Sequence, residues 1–179
     1  MGVPRPPEPA TLIVGLITGR PRLFDQAEKE LTSLYGPVDV RSPVMDFDAT
    51  NYYEREMGPN LKRRFLSFKQ TIDPGSLADI KLRTNSLEET LAGRQESVSR
   101  SINIDPGYVC STRLVLASTK DTTHRIYVGK GIYAEITLVY RKGKFEPVEW
   151  PYPDYRSEGY LDFFTHVRHR HMERLKEND

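Results

Sequence analysis

The chain carries a single cysteine, Cys110, among 179 residues. That excludes an internal disulfide and any cysteine-built metal centre. Long apolar runs are missing as well. The longest, Leu12 to Ile17, has Gly15 inside it and falls far short of the roughly 20 residues a membrane-spanning helix needs. The opening stretch, MGVPRPPEPA, has no basic segment followed by an apolar one, so no secretory signal is expected. Pro6 stands where N-myristoylation requires Ser or Thr, and the cytoplasm is the expected compartment. Charge of one sign is not in excess either. A net charge of +1 is too little for a nucleic-acid-binding face.

Catalytic signatures are equally scarce. No G-x-x-x-x-G-K-[ST] occurs, and GKGIYAE has the glycines and the lysine of a P-loop without its spacing. No G-x-G-x-x-G follows a strand pattern, and G-x-S-x-G and H-E-x-x-H are absent. Three histidines crowd into HVRHRH near the C-terminus. His166 and His169 share a helix face, but His171 points elsewhere and no cysteine or acid completes a set. These read as solvated residues, and no metal site is expected.

What is present reads as one globular domain. Apolar residues make up 37% of the chain and charged residues 28%, enough to build a core without staples. The pattern predicts a mobile Pro-rich tail over residues 1–10 and a single α+β domain over 11–179. That domain is expected to be an α/β sandwich, with a largely antiparallel mixed sheet and helices packed on one face. TLIVGLIT reads as a buried strand. Leu23, Ala27, Leu31 and Leu34 form one stripe of a helix that stops at Gly36-Pro37. VDVRSPVMDF reads as extended, with Pro43 marking an edge or a bulge. KRRFLSFKQTI alternates as a strand, with Arg64, Leu66 and Phe68 facing opposite to Arg63, Phe65 and Ser67.

Asp73-Pro74 opens a helix with Leu77, Ile80, Leu87 and Leu91 on one face. Ile-Asp-Pro-Gly returns at 104–107, which would duplicate a strand-to-helix turn, although Asp-Pro-Gly is common turn chemistry. YVCSTRLVLASTK fits helix or strand, and helix is the expectation. The last segment reads as a helix with Tyr160, Phe164, Val167, Met172 and Leu175 inward.

The segment from His124 to Trp150 is a hairpin turning at Gly129-Lys130-Gly131, and its loop length sets its register. A three-residue loop gathers Ile126, Val128, Ile132, Ala134, Ile136 and Leu138 on one face. It leaves Arg125, Tyr127, Tyr133, Glu135, Thr137 and Arg141 on the other. Arg125 then lies opposite Glu135, and His124 falls on the core side of the strand end. A two-residue loop would set His124 beside Glu135 and mix apolar with charged residues on both faces.

Two basic clusters stand out. Between Arg113 and Lys144 seven Lys and Arg face only two acids, and Lys62, Arg63, Arg64 and Lys69 have no acid among them. Such local potential can hold a phosphate or carboxylate; balancing nearby acidic helices would explain the same charges. WPYPDYRS, residues 150–157, reads as a stiff strap leaving the sheet, with Ser157 able to cap the last helix. Asp154, Tyr155 and Arg156 put hydrogen-bonding groups beside an aromatic wall, as small-molecule pockets often do.

NYYEREMGPNLKRRFLSF, IDPGYV, the hairpin KDTTHRIYVGKGIYAEITLVYRKGKFEP and WPYPDYRSEGY resemble the domain-of-unknown-function family DUF4416 over nearly the whole chain. The resemblance implies a bacterial cytosolic protein of unassigned activity and names no catalytic residue. A second resemblance concerns residues 62–92, which look like the strand, turn and helix after the first catalytic motif of the two-histidine phosphoesterases. Arg63-Arg64-Phe65 occupies the approximate place of that motif, and His124-Arg125-Ile126 the second, without its hydroxyl residue. What this likeness implies is an anion-binding cleft, with the hydrolytic residues incomplete.

The expected function is therefore a binding module for an anionic, phosphorylated small molecule or nucleotide. Arg63, Arg64, Arg125 and Lys130 would hold it, with Tyr127, Glu135, Asp154, Tyr155 and Arg156 around them. One alternative is a phosphoester-processing enzyme with His124 as acid and base. The other is an interaction module using the aromatic strap. Nothing in the residues names a cofactor.

Overall fold

Strand β1 (Ala10–Thr18) is the axis of the structure, and all nine of its residues are buried. Its β-branched and leucine side chains point alternately to two faces, and both faces are covered. The computed structural model describes residues 2–48, 50, 53–92, 100–149 and 152–177. Beside β1 lie β4 (Lys62–Ile72) and β5 (Asn103–Val109). Outside β4 run β2 (Val38–Arg41) and β3 (Met45–Asp46), with Pro43 in the break between them, as the edge-or-bulge reading anticipated. On the other side follow β6 (Arg113–Ser118), β8 (Ile132–Arg141) and β7 (Ile126–Gly129), while β9 (Lys144–Pro147) pairs with β8. Every described pairing is antiparallel, and the fold is α+β.

Helices cover both faces of this sheet, not one. Helices α1 (Arg22–Tyr35) and α3 (Leu77–Ala92) pack on Leu12, Val14, Leu16, Leu66 and Phe68. Helix α4 (Glu158–Glu177) packs on the opposite face, against Ile13 and Phe65. Phe65 is the hub there, with its ring 4.7 Å from Tyr160, 5.0 Å from Phe164, 5.5 Å from Phe163 and 5.9 Å from Tyr155. The short helix α2 (Glu54–Met57) closes one end beside Ile17 and Leu61. Among the described residues no helix is long and apolar enough to cross a membrane.

Several sequence expectations need correction. Leu34 is 47% exposed, and Phe24 takes its place in the stripe of α1. In α4 His171 is fully buried, with Nδ1 3.0 Å from Thr11 Oγ1, because it continues the inward series Tyr160, Phe164, Val167. Met172 and Leu175 are only half-buried. Residues 113–118 are a strand rather than a helix, folded back on β5 through Cys110–Thr112. The second Ile-Asp-Pro-Gly lies inside β5 and makes no turn.

The hairpin keeps the expected register at Ile126↔Ala134 and Tyr127↔Tyr133, but not the expected loop. Lys130 and Gly131 both take positive φ, 56° and 75°, which makes a two-residue turn between Gly129 and Ile132 with Val128 as an extra residue. Nor is the expected apolar face covered as one: Ile132 is buried under α3 and Leu138 on the α4 side, while much of the rest is left open. Leu77 and Ala78 of α3 reach Val115, Ala117 and Ile132, and no described element extends over β7. Ile126 is 71% exposed, with Val128 and Ile136 also exposed.

The two-sided packing predicts opposite outcomes for two truncations. Phe65→Ala should cost about 3–5 kcal/mol in urea unfolding, whereas Leu34→Ala should stay within about 0.5 kcal/mol of the parent. A loss below about 1 kcal/mol at Phe65 would contradict its place as the hub.

Candidate functional site

The ladder between β5 and β6 is short. It joins only Gly107, Tyr108 and Val109 to Leu116, Val115 and Leu114. Pro106 has no N–H to extend it, so Asn103–Pro106 pair with β1 alone and Ala117–Ser118 with β8 alone. Gly107 lets the strands close at the last pair, since a Cβ there would lie 2.3 Å from the Val115 carbonyl oxygen. Beyond that point the sheet divides. A cavity of about 690 Å³ borders the division, lined by Asn103 and Asp105 on one side and Leu116–Ser118 on the other. Lys81, Asn85 and Glu88 of α3 line it too, and Tyr152–Tyr155 form another wall.

Charge dominates this lining. The cations are Arg63, Lys81, Arg100, Lys120 and Arg125, set among the carboxylates of Glu56, Glu88, Glu89, Asp105, Glu135 and Asp154. Most are neighbours. Lys81 Nζ donates to Asp105 Oδ1 at 3.0 Å, and Asn103 Nδ2 donates to Asp105 Oδ2 at 2.5 Å. Glu88 accepts from Arg100 Nε at 3.0 Å and from the Ile104 amide at 2.6 Å. Arg125 Nε donates to Glu135 Oε2 at 2.9 Å, and its Nη2 to the Tyr152 hydroxyl at 2.6 Å.

These surroundings push the carboxyl pKa values apart. Burial raises Asp154 more than Arg63 lowers it, and burial raises Glu88 despite Arg100 and Lys81. At Asp105 burial also raises the pKa, but Lys81, Asn103 and Arg63 outweigh it and the net direction is down. Asp105 lies deep, yet 25% of its side chain stays accessible on the side that lines the cavity. Burial pushes the Tyr152 phenol up to about 12, and burial together with nearby Arg125 lowers Lys120.

Arg63 is as deeply buried as Lys81 and Arg125, each with 5% of its side chain accessible. It comes from β4, and its guanidinium carbon lies 4.8 Å from the Phe47 ring centre and 5.1 Å from that of Phe65. Tyr155 and Tyr160 stand 5.9 Å away. Its ion pair with Asp154 is 3.3 Å long, and its Nε has no hydrogen-bond partner. Room for it comes from Gly15, where a Cβ would lie 3.0 Å from Arg63 Nη1. A half-satisfied buried guanidinium beside a cavity can bind an anion or a strong acceptor.

The structure brings together Arg63, Arg125, Glu135, Asp154 and Tyr155 of the residues expected from the sequence. Tyr155 is also a core residue, stacked on Phe164 at 5.8 Å. The other four lie elsewhere. Arg64 follows Arg63 on a strand, so it points to the opposite face, where it meets Asp25 at 3.3 Å and the Phe24 ring. Lys130 sits in the hairpin turn and pairs with Asp79 at 2.5 Å. Tyr127 is exposed near the hairpin tip beside Tyr133. Arg156 is exposed and contacts the Glu149 carbonyl at 3.4 Å. The four cations expected to share one anion are thus each paired with a carboxylate, and only two of them face the cavity.

His124 does not fall on the core side. Its Nε2 is 2.8 Å from Glu135 Oε2, with 23% of its side chain accessible, and it is not among the residues that line the cavity. Residues 153–156 make a 3₁₀ turn instead of an extended strap, and Trp150 lies outside the described residues. The residues missed were Lys81, Glu88, Arg100, Asn103 and Asp105. Their signals were present: Lys81, Asn85 and Glu88 recur at helical spacing beside an apolar face, and Asn103 and Asp105 alternate in a strand whose Pro-Gly looked like a turn.

Two predictions follow from the ion pairs. Asp154→Ala should destabilise by about 3–5 kcal/mol, because it strands the buried Arg63 charge. Arg156→Ala, on an exposed side chain, should stay within about 0.5 kcal/mol. Equal losses in chemical denaturation would refute the distinction. Asp105 has a folded pKa below its usual 3.8, so its contribution is complete above that pH and is lost as pH falls through the folded value. The destabilisation caused by Asp105→Asn at pH 7 should therefore shrink in melting curves taken below about pH 4. A gap that widened there would reverse the sign of the argument.

No curated protein and no solved structure matches the chain. A family model does, over residues 8–171, a span that takes in every described strand and the whole lining of the cavity. The chain belongs to the domain-of-unknown-function family DUF4416.

Proposed function

We propose that this chain is a binding protein for a phosphorylated small molecule, seated in the cavity between β5, β6 and α3. The observation that carries the reading is Arg63. A buried guanidinium is expensive unless its donors are used, yet this one has a single 3.3 Å ion pair and an unpartnered Nε. Its planar fork matches a phosphate, and its aromatic surroundings keep water from competing. Lys120 and Arg125 add positive potential in the same wall, where each makes the other's charge less comfortable. The cavity volume falls in the range of small-molecule sites.

Phosphoester chemistry through His124 draws less support, because that imidazole is engaged by Glu135 outside the lining. The bacterial cytoplasm is the setting proposed with this function; the lone Cys110 is consistent with it.

Thermal melting against inorganic phosphate and a panel of nucleotides and sugar phosphates tests the reading. A ligand at a hundred times its Kd adds about 2.7 kcal/mol, which in a chain of this size raises Tm by roughly 5–10 °C. Arg63→Met should remove that ligand-dependent rise, while Arg64→Ala and Lys130→Ala should retain it. No shift with any anion, including millimolar phosphate, would end the proposal.

A further inference from the structure

Asp105 combines two partly used oxygens with an accessible side chain. Lys81 donates to Oδ1 and Asn103 to Oδ2. Each carboxylate oxygen can accept two hydrogen bonds, so one place on each remains, and a quarter of the side chain is accessible, 25%. Glu88 is only 11% accessible, Asp154 8% and Glu135 6%. Lys81, Asn103 and Arg63 also hold Asp105 in its ionised form.

The sheet fixes where this acceptor stands. Asp105 pairs across β1 with Gly15, and Arg63 pairs with Ile17 on the other side. Their strands lie about 10 Å apart, but Arg63 reaches back over Gly15, its Nη1 3.0 Å from where a Cβ would stand, so both charged groups border the same cavity. A ligand reaching both needs an anionic group at one end and hydrogen-bond donors at the other. An ammonium donor at Asp105 would meet the Lys81 ammonium already 3.0 Å from the same carboxylate. A hydroxyl would meet no such repulsion, and two adjacent hydroxyls match the two open places.

We infer that the ligand is a sugar phosphate or other polyol phosphate, with neighbouring hydroxyls donating to Asp105 and the phosphate directed to Arg63. This deepens the phosphate-binding reading above and rests on it.

Calorimetric titration with inorganic phosphate, ribose 5-phosphate and phosphoethanolamine separates the two claims. The parent protein should bind ribose 5-phosphate about tenfold more tightly than phosphate, and phosphoethanolamine no better than phosphate. Asp105→Asn should bring ribose 5-phosphate to within about threefold of phosphate, the ratio of the two affinities being the readout. If Asp105→Asn does not fold, Lys81→Met with Asp105→Asn removes the pair together and serves the same comparison. Phosphate binding without a ribose preference, a preference that survives the loss of Asp105, or tighter binding of phosphoethanolamine would overturn the polyol inference alone. Failure of all three probes to bind the parent would overturn both readings.

Discussion

Three residue pairs between β5 and β6 hold the two halves of the sheet together. Their number is set by covalent chemistry. Pro106 cannot donate, so the ladder stops, and Gly107 has no side chain, so the strands close tightly just before the stop. Had the pairing run on, β6 would have lain beside Asn103 and Asp105 and closed the gap through which Lys81 reaches the carboxylate. The second Ile-Asp-Pro-Gly is thus an instruction to stop pairing rather than to turn. The first copy, which begins on the last residue of β4, does open a helix, with Asp73 accepting from the Gly75 amide at 2.8 Å. The same four residues act differently because β1 holds the second copy extended on its other side.

Inside the opening, charge is arranged by pairing rather than by sign. Cations and carboxylates alternate around the wall, so the site offers no broad positive surface. What distinguishes its groups is how completely each is satisfied. Glu88 has donors on both oxygens and secures the Arg100 region to β5. Glu135 joins His124 and Arg125, tying the hairpin to Tyr152 through the same guanidinium. Arg63 and Asp105 retain unused capacity, and both border Gly15 across the central strand.

Much of this fold was legible in the sequence where local and global signals agree. The buried β1, the alternation of β4 and the amphipathic helices follow from the spacing of apolar residues, and the alternation alone separates Arg63 from Arg64. The hairpin register was legible too, since Ile126, Tyr127, Tyr133 and Ala134 pair as the apolar pattern requires. What the pattern could not supply was the extent of α3, whose first turn covers Ile132 and leaves Ile126 bare. For the site, proximity of basic residues along the chain was a poor guide, because successive strand residues diverge and distant ones meet. Asp105 was hidden by a motif whose commonest use is a turn. Gly15 alone hinted that something bulky from a neighbouring strand would cross β1.

Strand β7 ends the sheet with Ile126 and Val128 uncovered, and Ile136 lies exposed on its neighbour. An apolar strand at an open border invites another chain to add itself and continue the sheet. Here the border is only four residues long, Val128 breaks its register, and Lys130 follows at the turn. These features work against such an addition through the shape of the backbone more than through the polarity of the side chains. Of the three, the extra residue is the one that a single deletion would remove, and the margin left would be straighter, with only its short length and Lys130 set against a docking strand.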